Sequence, residues 1–368
     1  MANNRVYYAI QQIGFAKCGA LGNAFTAVKG AQSVGVDTAL NTEKVMQLGE
    51  AYVYDNINQI SDVTINMERI FDGTAPLICL ATNGATASNI INRSNIPCTI
   101  ALSIFSEAQD NSSGTPISQM ISSGNFATNW TLTCPMEGKV TESLSLISND
   151  KNWTAGIGPI PFSGVFLGTE SPPSRAAGSG GVQFRQNIIF TNLGGEPAPT
   201  VDANGQLHAF LTILPPDIEG ISSSGTNDKT ANGAYGAHIR SISVSASINR
   251  ESLFELGRRE PYFRYANFPI DITTEVEVAA SNGDFVNILA QGSQTGIWAG
   301  GDNRDRTISV RLQEGLYVDC GTKNRLTAVS ETGGDTGGGI STIKYTFMNG
   351  SFLKLTHSAD PSALPWPY

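Results

Sequence analysis

The sequence predicts a mainly β fold built of two similar domains of antiparallel sheet, each with a short flanking α-helix. Three observations predict it: an internal repeat, a composition low in charge and high in glycine, and short apolar runs that alternate with polar residues. Charged residues are 15% of the 368-residue chain and 39 residues are glycine, whereas ordinary soluble domains carry about 25% charge. Little charge, many turns and short alternating runs together mark antiparallel sheet.

The repeat is the strongest of the three. Val34 to Tyr54, VGVDTALNTEKVMQLGEAYVY, returns 208 positions later (242 − 34) as Ile242 to Tyr262, ISVSASINRESLFELGRREPY. Val34 meets Ile242, Val36 meets Val244, Leu40 meets Ile248, Asn41 meets Asn249, Glu43 meets Glu251, Gly49 meets Gly257 and Tyr54 meets Tyr262. Polar and glycine positions match as well as apolar ones, so the chain reads as an internal duplication.

Within each copy, Val34/Val36 and Ile242/Val244 alternate as a half-buried strand does. Asn41 and Asn249 are expected to cap a helix, with Glu43 and Glu251 near its positive end and Gly49 and Gly257 ending it. Such a helix has about eight residues, roughly 12 Å. It is too short to stand alone, so Val45, Met46 and Leu48, with Leu253, Phe254 and Leu256, are expected to pack on a sheet.

The repeat continues. VTINMERI and ITTEVEV align one residue later (276 − 67 = 209), which places a single insertion at a turn near Pro269, since an insertion inside a strand reverses its faces. CTIALSIF aligns with RTISVRL (308 − 100 = 208), and WTLTCPMEGKV with IKYTFMNGSF (350 − 138 = 212), each ending in an MEG or MNG turn. The expected organisation is residues 1–154 as the first domain, a Gly/Pro/Ser-rich linker at 155–181, and 182–368 as the second domain with a loop insertion at 222–236. Val6 to Phe15 reads as an edge or linking strand, Glu331 to Ser341 as a second long loop, and PSALPWPY as an extended arm.

A net charge of −9 and a pI near 4.9 argue against tight electrostatic binding of nucleic acid, although an acidic surface can still face DNA that only passes. No run of 18 apolar residues is present, and MANNRVYYAIQQ lacks the form of a secretory signal, so synthesis and assembly in the cytosol are expected. Cys18, Cys79, Cys98, Cys134 and Cys320 are odd in number and lack a CxxC pair; buried free thiols are expected, with a disulfide between subunits as the lesser alternative. The sequon at Asn129 then carries no glycosylation message.

No catalytic, cofactor or metal site is expected. His208, His238 and His357 are isolated, and no HExxH, GxSxG or metal-spaced set occurs. Glu275 and Glu277 share one strand face and imitate a glycosidase pair, although a solvated or lumen-facing strip is the simpler meaning. GSGGVQ and GGDTGGG lack the lysine and the strand-to-helix setting of a phosphate loop.

With these stretches in view, the sequence resembles the tail tube (major tail) proteins of bacteriophages, in the form that carries two tube domains on one chain. The resemblance rests on LGEAYVYDNINQISDVTINMERIFDG (48–73), KVTESLSLISNDKNW (139–153), TILPPDIEGI (212–221) and HIRSISVSASINRESLFELGRREPYFRYANFPIDITTEVEV (238–278). These cover under half of the chain but fall in both halves and in order. It implies β-sandwiches with a flanking helix whose sheets join into rings, the rings stacking into a hollow tube.

A duplicated chain then needs three copies for a pseudo-sixfold ring, and closure removes exposed edges. The implied setting is the virion tail, assembled in the host cytoplasm. The implied partners are the chain itself, tape-measure, tail-tip or baseplate proteins, a sheath where the tail has one, and viral DNA passing through without sequence-specific contact; no membrane is involved. The segments GEAYVYDNI and GRREPYFRY are the implied contact loops, so Gly49, Tyr52, Tyr54, Asn56, Gly257, Arg258, Tyr262, Arg264 and Tyr265 are the candidate assembly residues. The competing reading is a virion decoration or receptor-binding β-sandwich; a carbohydrate-active enzyme built on Glu275 is the third.

Overall fold

The computed structural model describes residues 5–18, 25–82, 88–106, 115–155, 162–163, 182–183, 185, 200–201, 207–208, 218, 239–258, 260–280, 305–312, 315–334 and 339–357. The 222–236 insertion, the PSALPWPY arm, His238 and nearly all of the 155–181 linker lie outside these residues. The fold is mainly β.

The first half of the chain forms β1 (Gln11–Lys17), β2 (Phe25–Ala27), β3 (Ala31–Ala39), β4 (Thr42–Met46), β5 (Val53–Asn58), β6 (Asp62–Ile70), α1 (Leu77–Ala81), β7 (Ser88–Asn89), α2 (Ile90–Arg93), β8 (Cys98–Ile104), β9 (Ser118–Pro135), β10 (Thr141–Ser148) and β11 (Asn152–Ala155). Three short strands follow, β12 (Phe162–Ser163), β13 (Thr200–Val201) and β14 (Leu207–His208). The second half contains β15 (Ile239–Ser247), β16 (Arg250–Leu253), β17 (Phe263–Ala266), β18 (Asp271–Ala279), β19 (Ser309–Leu312), β20 (Leu316–Asp319), β21 (Arg325–Thr332), β22 (Thr342–Gly350) and β23 (Lys354–His357).

A front sheet of antiparallel strands runs in the order β3-β6-β10-β9-β15-β18-β22-β21. Two back sheets lie behind it. One has β2, β1, β8, the start of β9 and β11; the other has β19, β20, β23 and, from the first half, β7. Period-two burial on β6, β10, β18 and β22 points Val63, Ile65, Met67, Leu144, Leu146, Ile272, Val276, Ile343, Tyr345 and Phe347 into the core, each nearly free of solvent. The opposite faces stay polar, as a one-sided antiparallel sheet requires.

Strand register sets the two halves against each other position by position. β3 pairs with β6 and β15 with β18, so that Val34 opposite Met67 stands where Ile242 stands opposite Val276. Each pairing carries a bulge at the matching place, Gln32 in one and Arg240 in the other. β10 and β22 occupy the next position after β6 and β18, followed by the end of β9 and β21. There the extra residue is Thr128 in β9 and Thr327 in β21. Each threonine hydroxyl donates to a matching carbonyl at 3.1 Å, Thr128 to Ser145 and Thr327 to Thr346.

A third match lies where the chain passes between layers. Asn125 donates through Nδ2 to the carbonyls of Cys98 and Ser122; Asn324 donates likewise to Arg306, Cys320 and Gly321. Both side chains are fully buried. In the first half the strand runs through this corner as continuous β9, whereas in the second it breaks into β20 and β21.

Two expectations are corrected. The segments after Asn41 and Asn249 are hairpins and not helices: β4 pairs with β5, and β16 with β17. Asn41 does not cap; its Nδ2 donates to the Ile60 carbonyl at 2.8 Å, and its own carbonyl receives Gln59 N at 2.7 Å. β-branched Thr42, Val45, Val53 and Ile57 suit cross-strand pairing better than a helix. Gly49 and Gly257 do take positive φ, +96° and +82°, but in hairpin tips. Leu48 and Leu256 stand fully in solvent there and cover no sheet. The described α-helices are α1 and α2, on the segment between β6 and β8, and a 3-10 turn at Tyr8–Ile10 precedes β1.

The second correction concerns the alignment of WTLTCPMEGKV with IKYTFMNGSF. By its pairing, β22 answers to β10 and not to β9, so Gly138 and Gly350 lie in unrelated turns. The 209 offset holds: register places the extra residue among 268–270, which include the cis Phe268–Pro269 peptide.

Candidate assembly surfaces

Joining the halves is a strand-to-strand seam. The end of β9 pairs with β15 without interruption from Asn129 opposite Ser247 to Pro135 opposite Ser241. Its core side is Trp130, Leu132 and Cys134 against Ala246, Val244 and Ile242, all at most 3% exposed. Ile248 N extends the ladder to the Thr128 carbonyl at 2.8 Å, and the Ile248 side chain is 2% exposed.

The β16–β17 hairpin leans across this seam onto the first half. Arg250 Nε donates to the Ala127 carbonyl at 2.8 Å, Nη2 reaches the Ser94 carbonyl, and the guanidinium lies 5.0 Å from the Phe126 ring centroid. Burial pushes the Arg250 guanidinium down to about 10, with Arg264 adding to the effect, so it stays charged at neutral pH. Phe126 and Phe263 meet edge to face at 5.2 Å, a geometry worth about 1 kcal/mol beyond area burial. Arg264 Nη2 reaches Asp62 and Asn149, each at 2.8 Å. Behind, β7 completes the sheet of β23, and His357 Nε2 lies 2.7 Å from the Gly73 carbonyl.

Of the residues singled out in the sequence, Gly49 and Gly257 turn the hairpin tips, and Tyr52, Tyr54, Asn56, Tyr262 and Tyr265 are exposed on or beside them. Arg258 is exposed and paired with Glu255 at 3.3 Å. Arg264 differs, being buried in the seam. Sequence reasoning missed Phe126, Phe263 and Arg250; the available signal was that Arg250 breaks the repeat, standing where the first copy has Thr42.

The open side of the front sheet carries Thr64, Asn66, Ser143, Ser145, Thr131, Thr133, Ser243, Ser245 and Thr273 with the carboxylates of Glu68, Glu275 and Glu277. Glu275 pairs with Lys344 at 2.8 Å, and Ser241 Oγ donates to Glu277 Oε2 at 3.0 Å. These two glutamates therefore lie on an open strand face.

A cleft under the β16–β17 hairpin is lined by Cys18, Ser123, Phe126, Asp150, Tyr262 and Arg264 among others. Asp150 there accepts from Ser123 N at 3.2 Å and from its hydroxyl, a structural turn contact. Among the described residues, no group of three or more His, Cys, Asp or Glu is placed to hold a metal, and no helix is long and apolar enough to cross a membrane. Cys79, Cys98, Cys134 and Cys320 are buried free thiols, and Cys18 is partly exposed. Burial pushes Cys79 up to about 11 and Cys134 and Cys320 up to about 12, with Cys98 raised as well.

No protein-family model and no curated protein matches the chain. Among solved structures it is similar to a chain of the anti-feeding prophage baseplate, determined by sixfold-symmetrised cryo-EM (14% identity, TM-score 0.31, 42% of this chain and 98% of that one). It is similar also to a chain of the cap that terminates the tube of that prophage (11%, 0.31, 42% and 95%). A third is a chain of the extended sheath–tube complex of an extracellular contractile injection system (12%, 0.31, 42% and 94%).

Proposed function

We propose that this chain is the structural subunit of a phage-type tail tube, three copies closing into a pseudo-sixfold ring and the rings stacking into a conduit for DNA. The observation that carries this reading is the front sheet. Two strand quartets with the same order and matched bulges are joined edge to edge within one chain, and β3 and β21 are left at the outer ends with one partner each among the described residues. A seam made once in the chain is thereby available to be made again between chains, and repetition around a closed ring leaves no edge free.

Eight front strands per chain give 24 for three chains; at about 4.8 Å spacing the perimeter is roughly 115 Å and the backbone diameter about 37 Å. Strand tilt widens it further. The serine, threonine and glutamate side chains of the open face line the bore in this arrangement. Neutral hydroxyls and carboxylates repel phosphates or pass them, and Lys344 on the same face is paired with Glu275. The hairpin tips, with Leu48 and Leu256 fully exposed and Tyr52 83% exposed, meet the neighbouring ring, as exposed apolar groups at a polymer end should.

Negative-stain and cryo-electron microscopy of the purified protein test this reading. Stacked annuli with a central channel are expected; a monomer that never polymerises, or a bore lined by arginine and lysine, overturns it.

A further inference from the structure

We infer that β21 of one copy pairs antiparallel with β3 of a second copy in a register dictated by the β9–β15 seam, with Leu40 and an Arg325–Asp55 ion pair as its distinguishing contacts. The inference rests on the ring reading and adds to it a residue-level interface. The matched bulges superpose β9 on β21 and β15 on β3, so each pair in the inner seam names a pair in the outer one. Thr131 opposite Ser245 becomes Ser330 opposite Asp37; Trp130 opposite Ala246 becomes Val329 opposite Thr38; Leu132 opposite Val244 becomes Glu331 opposite Val36.

Exposure supports the placement. Ile248 is 2% exposed in the inner seam and its counterpart Leu40 is 74% exposed. Ile242 and Val244 are buried, while Val34, Val36 and Val329 are only partly buried against the same core. Among the described residues no strand covers these positions, and a second copy supplies one continuous with the sheet already present.

The chemistry of the two seams differs where each hairpin meets the strand across from it. Phe126 corresponds to Arg325, and Phe263, on the hairpin, corresponds to Asp55. An apolar ring pair inside the chain is therefore answered by opposite charges across copies. Arg325 is now held by Asp305 through Nε at 2.8 Å and stays 62% exposed; the Asp55 carboxylate accepts from Asn56 N at 2.7 Å and is exposed. The position of Arg250, which locks the inner hairpin, is taken by Thr42. The outer seam thus exchanges the ring pair for opposite charges exposed to solvent, and its assembly depends on salt.

The test uses the full chain with Cys18→Ser. Thr131→Cys with Ser245→Cys calibrates disulfide closure within a chain. Ser330→Cys with Asp37→Cys is expected to give covalent oligomers under the same oxidation, and Ser330→Cys with Gly35→Cys, shifted by two residues, is expected to give none. Asp55→Arg is expected to weaken association by about tenfold, and adding Arg325→Asp to restore it. Annuli that form but cross-link in the shifted register, or remain indifferent to both charge changes, overturn the register while leaving the ring reading standing. A chain that forms no oligomer at any salt concentration overturns both.

Discussion

The two halves share a frame and differ in what fills it. In the first half, Glu142, fully buried, receives Arg69 Nε at 2.8 Å, Trp130 Nε1 at 2.6 Å and Leu77 N at 2.7 Å. Arg69 also donates to Thr74 and to the Ala75 carbonyl, tying α1 to the front sheet. In the second half the positions of Arg69, Glu142 and Trp130 are Val278, Ile343 and Val329. One half holds its core with a fully bonded ion pair, the other with branched aliphatic side chains. What recurs in both is the bulge threonine and the corner asparagine, so the frame depends on where backbone irregularities are satisfied more than on the residues between them.

The comparison is broken most sharply at Glu142. Glu142→Ala strands the Arg69 guanidinium and is expected to cost about 3–5 kcal/mol, whereas Ile343→Val at the matching site costs roughly 0.5–1.5 kcal/mol. Urea denaturation of both variants measures the gap, and equal losses refute the asymmetry. Next in size is Phe126→Ala, expected to cost about 3 kcal/mol and to loosen the β16–β17 hairpin, seen as faster amide exchange there. Asn125→Ala and Asn324→Ala should each cost about 2 kcal/mol by leaving buried carbonyls without donors. If only one of them matters, the corners are not doing the same job.

Alkaline titration separates the halves again, since three of the four buried thiols lie in the first. A thiol whose folded value is raised stabilises nothing below its ordinary value near 9; above that the unfolded chain ionises and the folded one does not, so stability falls. The loss is about 1 kcal/mol per buried thiol by pH 10, and Cys320→Ala should relieve less of it than replacing Cys79, Cys98 and Cys134 together. The smallest effect is Thr128→Val or Thr327→Val, about 0.5–1 kcal/mol each, read from thermal melts.

Much of the frame was legible in the sequence. The offset of 208 located β3 against β15, and the slip near Pro269 was placed correctly, because those segments keep side-chain type as well as pattern. The helices expected after Asn41 and Asn249 were not there: a cap-like asparagine and a terminating glycine also bracket a hairpin, and only the absence of a buried apolar stripe distinguishes them. The partner of β10 was hidden for a different reason. Alternation alone fits any strand to any other, and Trp130 shares no chemistry with Val329, so pairing had to be seen before the correspondence appeared. The tip residues Tyr52, Tyr54 and Tyr262 stood out in the sequence only as aromatics past a glycine, and their exposure comes from the structure, whereas Arg250 and Phe126 acquire their role only when β15 meets β9.

The placement of β7 has a consequence for biosynthesis. Ser88 and Asn89 pair with Leu355 and Lys354, so a strand translated early waits for one translated more than 260 residues later. The ribosome must release the chain past Leu355 before the second back layer is complete, and contacts so distant along the chain form slowly. A nascent chain cut short before Lys354 would leave that layer open, with β20 and β7 both lacking β23 as a partner.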